Sequence, residues 1–179
     1  MGVGYDNVDL DAANANGTYI AVTPNVAAQS VAELVFACFL ALSKKITTFD
    51  SLMKGGGWKT TDFIGTPELK GKTLGILGYG NIGKASARIA RGFGMNLIAH
   101  DPHIEITDND VRSVSMDELL RESDFITLHV LLTPETKGMM STQQFEMMKN
   151  VCFSTPKSPK CENVPCVDCF APRKPDCIE

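Results

Sequence analysis

Residues 74–83 constrain this chain more than any other stretch. An apolar run, Leu74 to Leu77, stops at Gly78-Tyr79-Gly80-Asn81-Ile82-Gly83, and a helical pattern begins at once, from Asn81 to Phe93. A second apolar strand pattern, Asn96 to His100, follows and ends at Asp101, eighteen residues after Gly83. Each glycine has a physical task in that order. Gly78 permits the tight strand-to-helix turn, Gly80 lets the backbone come close to a pyrophosphate, and Gly83 lets helix and strand pack closely. The helix start offers unpaired N–H groups and the positive end of its dipole to the phosphates. An acid placed like Asp101 accepts hydrogen bonds from ribose hydroxyls. The stretch therefore predicts a dinucleotide site, and the helix supports it: Ile82, Ala85, Ile89 and Phe93 form an apolar stripe while Lys84, Arg88 and Arg91 face away.

Around this unit the pattern alternates. Strands at Leu74, Asn96 and Phe125 to Val130 are separated by helices, which predicts an α/β fold with a doubly wound, parallel, Rossmann-like sheet. Ser115 with Glu118 and Ser141 with Gln144 form capping boxes, the second opening a helix from Thr142 to Lys149, and Met116, Leu119 and Leu120 make a buried face. Thr133-Pro134-Glu135-Thr136 reads as a helix start with Pro at its first position. Upstream, Gly2-Val3-Gly4 reads as a turn, Asp9 to Asn16 as a short helix closed by Gly17, and Tyr19 to Val22 as a strand ended by Thr23-Pro24. A long helix is expected from Ser30 to Met53, capped by Ser30 and Glu33, with Val31, Leu34, Cys38, Leu42, Ile46, Phe49 and Met53 facing inward.

At Val151 the character changes. Residues 151–179 hold five of the nine prolines and five of the six cysteines and lack either periodicity, so they read as loop, disorder or an aberrant tail. Cys161, Cys166, Cys169 and Cys177 include a single Cys-x-x-Cys pair, too little for a zinc site, and no metal is expected. The tail is charge-neutral, so the net charge of −4 lies in residues 1–150, which argues against nucleic acid or an anionic membrane as partner. The longest apolar run, Val31 to Leu42, contains Glu33 and is too short to span a bilayer. Met1 opens no secretory pattern, and a cytoplasmic location is the default expectation.

Five motifs in order, Gly-Val-Gly-Tyr-Asp-Asn-Val-Asp (2–9), Ser-Val-Ala-Glu (30–33), Gly78 to Gly83, Asp101-Pro102 and His-Val-Leu-Leu-Thr-Pro-Glu-Thr (129–136), resemble the NAD-dependent D-2-hydroxyacid dehydrogenases. That family includes phosphoglycerate dehydrogenase and hydroxypyruvate reductase. The resemblance implies an oxidoreductase that moves a hydride between NAD and the α-carbon of a 2-hydroxy or 2-oxo acid. It places pyrophosphate contacts on Asn81 and Ile82, the ribose contact on Asp101, and the adenine-side loop on Val130, Leu131 and Thr136, with Val3 near the nicotinamide. Leu131 stands where the family usually has Pro. It also implies three segments: 1–26 as the remnant of a substrate domain, 27–150 as an incomplete NAD-binding domain, and 151–179 as the tail.

The family's substrate-binding Arg, its Glu and its acid/base His have no counterpart in this chain, so no catalytic residue is assigned and turnover by the chain alone is not expected. His100, His103 and His129 read as satisfied or exposed histidines at strand ends. NAD is favoured over NADP, because Asp101 repels a 2′-phosphate and no Arg follows it in the strand-end loop. The implied partners are a small hydroxy or oxo acid and a second copy of the chain. The alternative function is a noncatalytic, NAD-responsive interaction module. In the usual strand order the far neighbours of Leu74 to Leu77 would be missing, which predicts an exposed apolar edge and a marginal fold.

Overall fold

The computed structural model of the chain describes residues 8–23, 25–58, 66–149 and the backbone of 153–155. Its centre is a five-stranded, all-parallel sheet of β1 (Thr73–Leu77), β2 (Asn96–His100), β3 (Val111–Ser113), β4 (Phe125–Leu128) and β5 (Phe153–Thr155), in the order β3-β2-β1-β4-β5. The described helices are α1 (Leu10–Ala15), α2 (Ala28–Ser43) and α3 (Ile46–Lys54) before β1, and α4 (Asn81–Gly92), α5 (Met116–Glu122) and α6 (Thr142–Met147) between strands. Two apolar layers sandwich the sheet. One packs Val35, Phe36 and Phe39 of α2 with Ala87 and Ala90 of α4 against Leu74, Ile76, Leu97 and Ala99. The other packs Leu119 and Leu120 of α5 with Met140 against Leu77, Ile98 and Ile126. Side chains alternate across each strand, so successive residues serve opposite layers.

The α/β, doubly wound reading therefore holds, but the expected apolar edge does not form. Leu74 pairs with Leu97 on one side and with Phe125 on the other, and Leu74, Ile76 and Leu77 are fully buried in the sheet's centre. The error lay in the strand count. Val111–Ser113 has three residues with one buried side chain, too short for an alternation signal, and Phe125–Leu128 is consequently the fourth strand, the far neighbour of β1. Three residues of the segment read as loop or disorder, Phe153–Thr155, add β5 beside β4. Asp124 fixes the register at the strand starts. Its backbone N–H donates to the Thr73 carbonyl (2.9 Å), its Oδ2 accepts from the Thr73 N–H (2.9 Å), and Lys149 Nζ lies 3.0 Å from Oδ1.

Other expectations are corrected at the N-terminal side. The long helix is two helices, broken where Lys45 takes a left-handed φ of 52°. The first starts at Ala28 with no side-chain cap, and Glu33 accepts from Gln29 Nε2 (2.8 Å), so the Ser30–Glu33 box is not made. The buried face is Ala32, Val35, Phe36, Phe39 and Ser43, one residue round from the stripe expected, and Leu34 and Met53 are exposed. A helix apolar on nearly every side gives its stripe no unique phase. Residues 19–22 form no strand, and all four are exposed. By contrast α1 is closed as read by Gly17 at φ 62°, and its N-cap is Asp9, whose Oδ1 accepts from Ala12 N (2.9 Å). Ser115 accepts from the Glu118 N–H (3.2 Å), but the Glu118 side chain turns to Arg112; the Ser141–Gln144 box forms in full. Thr133 to Gly138 makes a turn that Gly138, at φ 73°, ends before a helix develops. On α4, Gly83, Ser86, Ala87 and Ala90 are more buried than Ile82, Ile89 and Phe93. Gly2 to Gly4, Val3 and the four tail cysteines lie outside the described residues. Among those described, no helix is long and apolar enough to cross a membrane.

Candidate dinucleotide site

The sequence-predicted glycines meet at the C-terminal ends of β1, β2 and β4. Gly78 leaves β1 at φ 90°, donating its N–H to the His100 carbonyl (2.9 Å); a Cβ there would lie 2.8 Å from the His129 carbonyl oxygen. Only glycine satisfies both conditions. Gly83 faces back onto the strand, where a Cβ would sit 2.3 Å from the Gly78 carbonyl oxygen and 3.2 Å from Ile76. Gly80 is different. It is the N-cap of α4, extended in backbone, and a Cβ on it would enter open space.

That opening lies against the start of α4. The helix's first internal bond runs from Lys84 N to Gly80 O (2.9 Å), and no side chain caps its N-terminus. The preceding N–H groups thus have no partner within the helix, and the helix dipole adds positive potential, a combination suited to an anion. Asn81 is exposed, with its amide donating to Asn25 Oδ1, and Ile82 is half-buried.

Asp101 stands at the end of β2 with its carboxylate fixed by the backbone. Oδ2 accepts from Tyr79 N (2.8 Å), and Oδ1 accepts from His103 N (2.9 Å) and Ile104 N (3.0 Å). Three of about four lone-pair positions are used, leaving one on Oδ2 for a further donor. Across the opening, Val130 N lies 2.9 Å from where a Gly78 Cβ would be. Thr136 Oγ1 accepts from Thr133 N (2.8 Å) and donates to the Leu131 carbonyl, so the loop closes on itself while the Leu131 side chain stays 75% exposed. Gly78, Gly80, Asp101 and Val130 thus lie around the glycine turn with Gly83 packed behind Gly78, Asn81 and Ile82 open α4, and Leu131 and Thr136 belong to the loop after β4.

Two of the three histidines are occupied in structural bonds, and His103 is exposed. His100 Nδ1 donates to the Val114 carbonyl (2.9 Å), since a carbonyl only accepts. His129 Nε2 lies between Thr127 Oγ1 (2.9 Å) and Ser86 Oγ (3.2 Å). Among the described residues no three His, Cys, Asp or Glu side chains group as a metal site.

Sequence reasoning missed Tyr79. Its ring is fully buried in the α2–α4 layer, and its hydroxyl donates to Asp108 Oδ2 (2.6 Å). Arg91 Nη2 shares that oxygen (3.0 Å) and reaches Asp110 Oδ1 (2.7 Å), while Arg91 Nε bonds Asp110 Oδ2. Burial first, then the hydrogen bond to Asp108 and its negative charge, hold the Tyr79 phenol protonated far above its ordinary range. The Tyr79 hydroxyl and then Arg91 hold the Asp108 carboxyl below its usual value. No spacing rule links positions 79, 91 and 108; only the fold brings them together.

The family description "D-isomer specific 2-hydroxyacid dehydrogenase, NAD binding domain" matches residues 36–153. A glyoxylate reductase of Thermococcus litoralis is 41% identical over 158 residues, 82% of this chain and 47% of the relative. A hydroxypyruvate reductase of Thermotoga maritima is 42% identical over 149 residues, 83% of this chain and 48% of the relative. The apo structure of D-lactate dehydrogenase from Escherichia coli superposes with a TM-score of 0.77 at 34% identity, covering 86% of this chain and 50% of that one. The chain spans about half the length of the curated relatives it matches.

Proposed function

The chain belongs to the D-isomer-specific 2-hydroxyacid dehydrogenases, whose NAD-binding domain it matches over most of its length, and on that premise we propose that it is the cofactor-holding part of such an enzyme. The carrying observation is the uncapped start of α4 behind Gly80, open on the side where a Cβ would stand, with Asp101 fixed beside it. The donor set fits NAD. The N–H groups at Asn81 and Ile82 hold the pyrophosphate, and the remaining Asp101 lone pair takes a ribose hydroxyl. The loop of Val130, Leu131 and Thr136 flanks the adenosine. Bound there, the nicotinamide supplies the hydride donor or acceptor for the α-carbon of a small 2-hydroxy or 2-oxo acid. Residues 27–150, extended by β5, form the cofactor-binding unit, and residues 1–26 belong with the substrate side.

Reducing a 2-oxo acid needs a cation for the carboxylate and a proton donor for the forming alkoxide. Among the described residues His100 and His129 are held by Val114, Thr127 and Ser86, and Arg91 is engaged by Asp108 and Asp110, so none of these three offers either. On this reading the chain alone binds cofactor without turnover. Fluorescence titration with NADH tests this. Saturable binding, weakened about tenfold or more in Asp101→Ala through loss of a charge-assisted hydrogen bond, is the expected result. No saturation, or equal affinity in the variant, overturns the assignment.

A further inference from the structure

Tyr79 touches both ends of one loop. Residues 101–110 connect β2 to β3; the Tyr79 N–H holds the loop's first residue, Asp101, and the Tyr79 hydroxyl holds its eighth, Asp108. A phenylalanine would satisfy the packing of this fully buried ring. The hydroxyl is affordable there only because Asp108 accepts it. Since the ring is locked by the core, the hydroxyl is a fixed point to which the loop is pinned. Arg91, from the last turn of α4, supports the same end through Asp108 and Asp110.

The pinned loop is acidic. It carries Asp101, Glu105, Asp108 and Asp110 against His103, and Arg91, which reaches it, is committed to Asp108 and Asp110. A cofactor whose ribose meets Asp101 presents its 2′ position to this loop, where a phosphate would face that negative charge. We propose that Tyr79 is a positioning residue: by pinning Asp108 it keeps the 101–110 loop closed on the ribose and so sets the preference for NADH over NADPH. The proposal rests on the cofactor reading above and deepens it.

The experiment is a paired titration of the full chain with NADH and with NADPH, in wild type, Tyr79→Phe, Asp108→Ala, Asp108→Asn and the Tyr79→Phe/Asp108→Ala double variant. The expected outcome is NADH affinity about fivefold lower in Tyr79→Phe and in Asp108→Ala, the lower end of coupling between neighbouring sites, with NADPH affinity unchanged or higher. The double variant should lose no more than either single one, and Asp108→Asn, which keeps an acceptor oxygen, should recover the NADH preference. Equal losses for both cofactors would mark Tyr79 as a purely structural residue, and an unchanged ratio or additive losses would overturn the proposal on their own. A wild-type chain that binds neither cofactor would instead remove the cofactor reading, and this inference with it.

Discussion

Two tyrosines separate the halves of this molecule. Tyr79, in the glycine turn, has no exposed surface; Tyr19, between α1 and α2, is 98% exposed. The difference extends to their neighbours. From Leu69 to Met140 most large apolar side chains sit in two layers on either face of the sheet, with Phe93, Ile104, Leu131 and Leu132 exposed, whereas Val8, Leu10, Tyr19, Ile20, Val22 and Val26 all face outward. Both regions are apolar in sequence. What distinguishes them is that a parallel sheet supplies two faces for its helices to cover, and the segment before α2 has no such surface within reach among the described residues. Helix α2 is the bridge: it belongs to the earlier region in sequence and to the sheet's core in packing, through Phe36 and Phe39.

Substitutions on that bridge give the sharpest contrast. Phe39 is fully buried and meets Phe125 edge-on with ring centroids 5.0 Å apart, while Leu34, one turn away, is 64% exposed. Phe39→Ala should cost about 3–5 kcal/mol in urea unfolding. Leu34→Ala should cost within about 0.5 kcal/mol. Comparable losses would mean that α2 is not docked by the face seen here.

Glycine separates the regions on a smaller scale. Gly78→Ala combines a positive φ of 90° with a Cβ 2.8 Å from His129 backbone, and should cost about 2–3 kcal/mol and abolish NADH binding. Gly17→Ala has the same kind of φ, 62°, but open space around it. It should fray α1 and leave the unfolding midpoint of the sheet unchanged, as measured by far-UV and Tyr fluorescence signals together. A midpoint shift in Gly17→Ala would show that the two regions unfold as one.

How far these features could be read in advance follows the same division. Gly83, Gly17 and Ser141 act within a few residues of themselves, and their roles in close packing, helix closure and N-terminal capping were all visible in local order. The position of β1 was not, because β3 carries only Val111 as a buried side chain and its absence from the pattern moved every later strand one place. The phase of α2 failed for the opposite reason, an excess of apolar residues around the helix rather than a shortage. Within the site, the glycines and Asp101 follow a spacing that chemistry imposes. The Tyr79–Asp108–Arg91 group follows none, since its members meet only when the turn, α4 and the loop before β3 are folded together.

A smaller effect than that of Gly78→Ala probes how the sheet's strand starts are joined. Burial works to raise the Asp124 carboxyl, but the Thr73 N–H, the Lys149 hydrogen bond and charge, and the charge of Lys72 together outweigh it, and the group titrates below its ordinary value. A carboxylate whose folded pKa is depressed adds stability above its unfolded pKa, about 3.9, and loses it as pH falls through the lower folded value. Asp124→Asn should therefore cost about 1 kcal/mol at neutral pH. The gap from wild type should narrow as the unfolding midpoints are followed down to about pH 3 and below. Lys149→Met should remove only part of that gap, because the Thr73 N–H remains. A gap that stays constant with pH would assign the effect to the shape of the side chain rather than its charge. The strand starts of β1 and β4 would then be held by the backbone ladder alone.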